Sequence, residues 1–288
     1  MKNLTFPDPV KREFYYKQYD ESLKHWNIEI ETLYIETTFG KTHVIACGPK
    51  DAQPVVLLHG MTVSSTMWFA NAPVWSQSYR IYAIDTIGDF GKSECIRPVT
   101  TRPELNSWLN EVLDALNIEV FYLIGHSMGG WIALQFSLQS DRVKKLVLLA
   151  PVMSLSGLNW RFPFKLLPAT LLKNSYSIRK LYEWMFAKQN TPSPLLYKQF
   201  LAGYKLGKIQ LKVAPTVMKE AELKGLWPET LVLIGEEEVI YSSVQKAIKR
   251  ADEAPNMTVH LIPACSHCLP AEQSYMVNDL VNQFLAER

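Results

Sequence analysis

The sequence predicts an α/β fold with a mostly parallel central sheet and helices on both faces. Short, continuous apolar runs recur between residues 54 and 149 and again after residue 229. Such runs are typical of strands that are buried on both faces of a sheet. Most of them are followed by a segment whose apolar residues have helical spacing, and strand–helix alternation favours parallel strands joined by crossover connections. The chain has 288 residues, enough to bury a full-sized core.

The composition excludes several classes of protein. The chain is 48% hydrophobic and 20% charged, with a net charge of +2, which argues against disorder and against nucleic acid as a partner. The N-terminal stretch lacks the apolar core of a signal peptide, and no later stretch is apolar enough to span a bilayer. We therefore expect a cytoplasmic protein without stable membrane insertion. Its four cysteines do not suggest a disulfide framework.

The first part of the chain is predicted to build one edge of the sheet. Residues 1–28 are aromatic and charged and predict a helical extension, and the alternating segments 28–38 and 41–47 predict an antiparallel hairpin. A buried strand at 55–58 then ends at His59-Gly60-Met61. A helix is expected from Ser64 or Ser65 to Trp75 with a break near Pro73, before the next strand at 80–85.

The remaining elements continue the alternation, with one interruption. Apolar periodicity predicts a helix at 103–116, a strand before Ser127, a helix at 130–139 and a strand at 143–149. After the interruption, strands are predicted at 230–234 and 257–262, with a helix at 242–251 and a final amphipathic helix around residues 276–285. The predicted core therefore comprises residues 1–151 and 223–288.

Residues 152–222 interrupt the alternation and contain no buried strand run. They are rich in aromatic residues and contain eleven Lys or Arg against three Glu. Ligands of open α/β sheets gather at the carboxyl ends of the strands, so an insertion at this point is well placed to cover a site. We predict a helical cap, and the alternative is a peripheral helical layer.

Two stretches resemble cofactor motifs but are incomplete. Gly91-Lys92-Ser93 resembles the end of a phosphate-binding loop, but such a loop requires glycine at position 86, which is Thr86. Cys265 and Cys268 form a C-x-x-C pair, yet no second Cys/His pair has the spacing of a zinc site. The sequence therefore predicts neither a metal nor a cofactor.

The stretch VFYLIGHSMGGW contains a G-x-S-x-G pattern from Gly125 to Gly129. An apolar run precedes it and a helical segment follows it, so it predicts a strand, a sharp turn and a helix. In such a turn small residues let the strand and helix approach closely, and the hydroxyl of Ser127 projects above the sheet. The pattern alone is short and also occurs in ordinary glycine turns.

Four predicted strands end in polar groups at what should be the same edge of the sheet. In chain order these groups are His59-Gly60-Met61, Ser127, the cluster Glu236–Glu238, and His267. With DTIGDFGKS and LVLIGEEE, this order of serine, acid and histidine resembles the α/β-hydrolase superfamily. The resemblance extends from about residue 30 to residue 288, apart from the cap.

The residue types indicate roles for these groups. A serine hydroxyl needs a base to act as a nucleophile, and His267 is the candidate base for Ser127. The resemblance implies that Glu238 is the acid that orients His267, with Glu236 and Glu237 as alternatives. It also implies that the backbone N–H groups of Met61 and Met128 form an oxyanion hole. For His59, His126 and Asp85 we expect structural roles.

The resemblance implies a serine hydrolase that cleaves a small carboxylic ester through an acyl-enzyme on Ser127. Thioesterase, aminopeptidase, carbon–carbon bond hydrolase, perhydrolase and acyltransferase activities use the same fold and stay open. A different class of function is a ligand sensor or partner-binding protein with little turnover. The aromatic cap favours an apolar or aromatic substrate group, and its positive charge suggests acidic substrates as a further hypothesis. The sequence does not predict the oligomeric state.

Overall fold

A computed structural model describes residues 2–287 as one nine-stranded sheet flanked by helices. The strands are β1 (Glu31–Thr37), β2 (Gly40–Cys47), β3 (Pro54–Leu58), β4 (Arg80–Ile84), β5 (Glu94–Cys95), β6 (Phe121–His126), β7 (Val143–Leu149), β8 (Glu229–Gly235) and β9 (Met257–Ile262). Their spatial order is β1-β2-β4-β3-β6-β7-β8-β9, with the short β5 paired to β2. The pairs β3–β4, β3–β6, β6–β7, β7–β8 and β8–β9 are parallel. The pairs β1–β2, β2–β4 and β2–β5 are antiparallel. The predicted fold class is confirmed.

Helices connect the strands and cover both faces of the sheet. They are α1 (Pro9–Leu23), α2 (Ala72–Trp75), α3 (Arg102–Ala115), α4 (Met128–Ser137), α5 (Arg161–Leu172), α6 (Ser175–Trp184), α7 (Pro194–Leu206), α8 (Glu220–Lys224), α9 (Val244–Asp252), α10 (Leu269–Glu272) and α11 (Ser274–Ala286). Within residues 2–287, no helix has both the length and the apolar character that a bilayer-spanning segment needs.

Strand β3 shows why its sequence is continuously apolar. Val56 and Leu58 pack into the core cluster on one face of the sheet, while Val55 and Leu57 pack into the cluster on the other face. All four side chains are fully buried. A strand between two helical layers has no solvent face, so the alternation of apolar and polar residues disappears.

The segment after β3 differs in detail from the sequence prediction. Residues Ser65–Ala70 form a 3-10 helix, and the Ser64 hydroxyl accepts a hydrogen bond from the N–H of Thr66. The helical path breaks at Asn71 rather than at Pro73. Pro73 lies in the first turn of α2, where a residue without an N–H loses no hydrogen bond.

The N-terminal helix α1 packs against the inserted segment. Tyr15 and Tyr19 are buried, and the Tyr15 ring stacks on Phe6 with 4.3 Å between ring centroids. Helix α1 also contacts α7. The hydroxyl of Tyr19 lies 3.4 Å from Nδ1 of His43 in β2, so the predicted helical extension contacts both the sheet and the insertion.

The segment between β7 and β8 is helical, as its sequence indicates. Helices α5, α6, α7 and α8 lie in it, and isolated bridges join Leu211 to Val99 and Leu158 to Tyr241. Helix α5 buries only Ala169, and its outer face exposes large apolar side chains. Residues 152–222 as a separate cap domain remain a prediction.

Candidate active site

Ser127 stands at the turn between β6 and α4, in a strained backbone conformation. Its φ of 52° and ψ of −114° are unusual for a residue with a side chain. The N–H of Ser127 donates to the carbonyl of Leu149 at 2.9 Å, and its own carbonyl accepts from the N–H of Val152 at 3.1 Å. The turn is thus tied to the end of the neighbouring strand β7.

The glycines on either side of Ser127 permit close backbone contacts. A Cβ at Gly125 would lie 2.3 Å from the carbonyl oxygen of Gly129, and a Cβ at Gly129 would lie 2.1 Å from that of Leu58. Both distances are shorter than real carbon–oxygen contacts. The G-x-S-x-G spacing is therefore explained by packing around the turn, independently of any chemistry.

The structure brings Ser127, His267 and Glu238 into one hydrogen-bonded row. Nε2 of His267 lies 2.8 Å from Oγ of Ser127, and Nδ1 of His267 lies 2.9 Å and 3.1 Å from the two carboxylate oxygens of Glu238. All three residues are buried. A carboxylate at Nδ1 keeps the proton on that nitrogen, so Nε2 is free to accept the proton of the serine hydroxyl.

The neighbouring glutamates face elsewhere. Glu236 and Glu237 are exposed, and the carboxylate of Glu237 accepts a hydrogen bond from Gln189. Glu238 also accepts from the N–H of Ile240 at 2.7 Å, which fixes its orientation. Of the three acids that the sequence left open, only Glu238 contacts His267 within the described residues.

Met61 and Met128 both line the cavity next to Ser127. Among residues 2–287, no backbone carbonyl accepts a hydrogen bond from the N–H of either methionine. Met128 is the first residue of α4, where an N–H has no partner within the helix. Both methionines line the same cavity as Ser127, and an oxyanion hole formed by their N–H groups remains a prediction.

His59 and His126 have hydrogen bonds that position the backbone. His59 bridges two loops, since its Nε2 accepts from the N–H of Thr86 at 2.9 Å and its Nδ1 donates to the carbonyl of Gly60 at 2.8 Å. Nε2 of His126 donates to the carbonyl of His267 at 2.8 Å. Burial, with a smaller contribution from the nearby His267, lowers the pKa of His126 to about 3.

Two acidic residues that sequence reasoning did not single out hold the loops of this site. Glu272 accepts hydrogen bonds from the N–H groups of Ser266 and Cys268, on either side of His267, at 3.1 Å and 3.2 Å. It also accepts from the N–H of Ala187 in the inserted segment at 2.7 Å. The available signal was its position shortly after the Ser-His pair, just before the last helix α11.

Asp89 performs a similar task for the loop that contains Met61. Both of its carboxylate oxygens accept from the N–H of Thr62, at 3.0 Å and 3.1 Å, and one accepts from Phe90 at 2.7 Å. Burial raises the pKa of Asp89 to about 6. Asp85 does tie down its own turn, as expected, by accepting from the N–H of Lys92 at 2.8 Å.

A cavity of about 240 Å³ opens onto Ser127 and His267. Its walls come from the loop after β3, from the turn at Ser127, and from helices α5, α6 and α7. The contributions of these three helices are Phe162, Leu166, Leu181, Tyr182, Leu196, Gln199, Phe200 and Tyr204. The insertion thus forms a large part of the cavity wall, and most of that wall is apolar.

The basic residues of the insertion lie outside this cavity. None of the residues from 2 to 287 that line it is Lys, Arg, Asp or Glu. The hypothesis that the positive charge of the insertion selects acidic substrates therefore has no support in the cavity wall. These basic side chains match the ordinary explanation for such charge, a solvated face.

The C-x-x-C pair beside His267 consists of two free thiols. Burial raises the pKa of Cys265 to about 12 and that of Cys268 well above its usual value. A metal would need thiolates, which this environment disfavours. No group of three or more potential metal ligands occurs within residues 2–287.

The strand order, the serine turn and the row of Ser127, His267 and Glu238 define a class of protein. A family model for the alpha/beta hydrolase fold matches residues 53–181. The chain is also 37% identical over 277 residues, or 94% of its length, to the uncharacterized carboxylesterase nap of Bacillus subtilis (strain 168), of which it covers 91%. The chain belongs to the alpha/beta hydrolase family.

Two further comparisons extend over the whole fold. The chain is 35% identical to carboxylesterase YbfK of Bacillus subtilis (strain 168), with 94% of this chain and 93% of that protein covered. It superimposes with a TM-score of 0.89 and 38% identity on the crystal structure of naproxen esterase (carboxylesterase NP) from Bacillus subtilis, covering 94% of this chain and 96% of that one. The expected family resemblance is confirmed, and it includes the insertion.

Proposed function

We propose that this protein is a serine hydrolase that cleaves small, neutral carboxylic esters through an acyl-enzyme on Ser127. The observation that supports this most strongly is the buried row in which His267 lies 2.8 Å from the Ser127 hydroxyl and 2.9 Å from Glu238. The full-length similarity to two carboxylesterases and to naproxen esterase supports ester bonds as the substrate bonds.

In the proposed mechanism, His267 removes the proton from the Ser127 hydroxyl as its oxygen attacks the ester carbonyl carbon. The N–H groups of Met61 and Met128 donate to the carbonyl oxygen as it becomes negative. The protonated His267 then gives its proton to the departing alcohol. Water, activated by the same histidine, attacks the acyl-enzyme and releases the acid and Ser127.

The cavity wall supports an apolar substrate group. A charged group would lose its water and find no counter-ion among the lining residues. An aliphatic or aromatic acyl or alcohol group gains free energy by leaving water for this wall. Cytoplasmic location remains part of the proposal.

Replacing Ser127 with alanine tests the function directly. We expect turnover of short p-nitrophenyl esters to fall by about 10⁴-fold or more, because the covalent step disappears. Ser137→Ala is the matched control, since Ser137 lies at the other end of α4 and its hydroxyl donates to the carbonyl of Ala133. Unchanged turnover in folded Ser127→Ala protein would remove this serine from the mechanism.

Labelling separates the proposal from the ligand-sensor alternative. A fluorophosphonate should modify wild-type protein at Ser127 and leave Ser127→Ala unmodified. An inert serine in folded protein would favour the sensor. Parallel rates on esters, thioesters and diketones with equal acyl groups would then rank the bond types.

A further inference from the structure

Besides Ser127 and His267, the cavity wall includes a polar cluster formed by Tyr15, Ser64, Thr66 and Gln199. These side chains come from three parts of the chain: the N-terminal helix α1, the loop after β3, and helix α7 of the insertion. Gln199 lies at its centre and is 4% exposed, while Tyr15 is 1% exposed. A buried polar group is costly unless it has hydrogen-bond partners, so the pairing within the cluster decides what it can do.

Four contacts join the side chains of the cluster. Nε2 of Gln199 lies 2.7 Å from Oγ of Ser64 and 3.2 Å from the hydroxyl of Tyr15. Oε1 of Gln199 accepts from the Thr66 hydroxyl at 2.8 Å, and the Ser64 and Thr66 hydroxyls lie 2.9 Å apart. Among residues 2–287, none of these side chains donates a hydrogen bond to any other acceptor.

The number of hydrogens exceeds the number of contacts. Three hydroxyls supply one donor hydrogen each and the amide supplies two, making five hydrogens for the four contacts. One hydrogen is left over whichever way the amide is turned. In the orientation of the structure, both amide hydrogens are used, so the spare hydrogen belongs to the Tyr15 hydroxyl.

Tyr15 keeps this hydrogen at all ordinary pH values. Burial raises the pKa of its hydroxyl well above the usual value, so the group is a donor rather than a phenolate. An unpaired donor in an apolar cavity gains more from a hydrogen bond than a donor that water can reach.

We propose that this polar cluster is a substrate subsite that donates one hydrogen bond to a neutral acceptor oxygen, such as an ether or carbonyl oxygen remote from the ester. The inference rests on the proposed function only in taking an ester as the ligand. It narrows the substrate class to apolar esters that contain a second, uncharged oxygen at a fixed distance from the bond that is cleaved.

The test measures the binding of a series of ligands to Ser127→Ala protein. This variant is used so that the ligands are bound and not hydrolysed. Methyl octanoate and octyl acetate are compared with analogues in which an ether oxygen replaces one methylene at successive positions along the chain. Dissociation constants are measured by isothermal titration calorimetry. An ether oxygen without a partner weakens binding because it loses water. At the position that meets the spare hydrogen, we expect about fivefold tighter binding than at the adjacent positions.

Gln199→Glu is the variant that removes the spare hydrogen while keeping the side-chain shape. A glutamic acid has one hydrogen where the amide has two, and a glutamate has none, so the remaining hydrogens are all used within the cluster. The preferred position should disappear in this variant. Tyr182→Phe is the matched control, because Tyr182 lines the same cavity but its hydroxyl already donates to the Ser193 carbonyl at 3.3 Å.

Two results would overturn the subsite. One is a scan of both series on Ser127→Ala protein that shows no preferred oxygen position. This result does not depend on whether a variant of the polar cluster folds. The other is a preferred position that survives Gln199→Glu. Failure of the wild-type protein to hydrolyse esters would instead contradict the proposed function, and the binding scan would still decide the subsite.

Discussion

Nε2 of His267 lies 2.8 Å from Oγ of Ser127, although 140 positions of sequence separate the two residues. The parallel sheet brings them together because β6 and β9 both end at the same edge. The His267 backbone is held there by Glu272 on one side and by the carbonyl of Met185, which accepts its N–H at 3.1 Å, on the other. The insertion therefore helps to place the histidine, in addition to lining the cavity.

Glu238→Gln should lower kcat for ester hydrolysis by about a thousandfold or more. An amide N–H directed at Nδ1 of His267 favours the tautomer in which Nε2 holds the proton, and that tautomer cannot accept one from Ser127. Glu237→Gln is the control, since Glu237 is exposed and contacts Gln189 instead. Steady-state rates of both variants check the assignment, and an equal loss in the two would contradict it.

Esters with a charged tail should be poor substrates. We expect kcat/KM for monomethyl suberate to be about a hundredfold below that for methyl octanoate, because its carboxylate must leave water for a cavity without a Lys or Arg in its wall. Dimethyl suberate, which is neutral and longer, should recover most of the rate. A preference for the charged ester would contradict this prediction and support the hypothesis that the basic insertion selects acidic substrates.

Gly129→Ala should destabilise the fold by about 3 kcal/mol. The added Cβ would lie 2.1 Å from the Leu58 carbonyl oxygen, and backbone on both sides must move to relieve the contact. Gly157→Ala is the comparison, because its Cβ would meet only the Ser242 hydroxyl, at an ordinary 3.5 Å. Urea denaturation measures both. Equal stability of the two variants would contradict the close packing of Gly129 against the Leu58 carbonyl.

His126 should make the folded protein less stable as the pH falls. Its pKa is lowered from 6.5 to about 3 on folding, chiefly by burial. Between pH 6.5 and about pH 3, the unfolded chain takes up a proton on His126 and the folded protein does not. The stability contributed by neutral, buried His126 is therefore complete above pH 6.5 and is lost as the pH falls below that value. Between about pH 7.5 and pH 5.5, wild type should lose about 1 kcal/mol more than His126→Gln does.

His260→Gln provides the control for this pH dependence, because His260 is exposed. Its free energy of unfolding should follow that of the wild type at both pH values. If His126→Gln and wild type lose equal stability, then His126 is protonated in the folded protein and the burial argument is wrong.

The sequence by itself determined the serine turn and every strand except the two-residue β5. These features depend on local patterns: apolar runs such as that of β3, helical spacing, and the small residues around Ser127. The same patterns predicted the ends of most elements to within a few residues. The break was expected near Pro73 and lies at Asn71, because Pro73 fits inside the first turn of α2.

Only the tertiary structure decided which groups meet. The resemblance pointed to Glu238 but left Glu236 and Glu237 open, and the turn after β8 directs Glu238 towards His267. The polar cluster around Gln199 joins residues 15, 64, 66 and 199, whose spacing has no local pattern. The basic charge of the insertion was visible from the beginning, but its exclusion from the cavity depends on which faces of α5, α6 and α7 turn inward. Packing of distant segments sets these relations, and no short stretch of sequence encodes them.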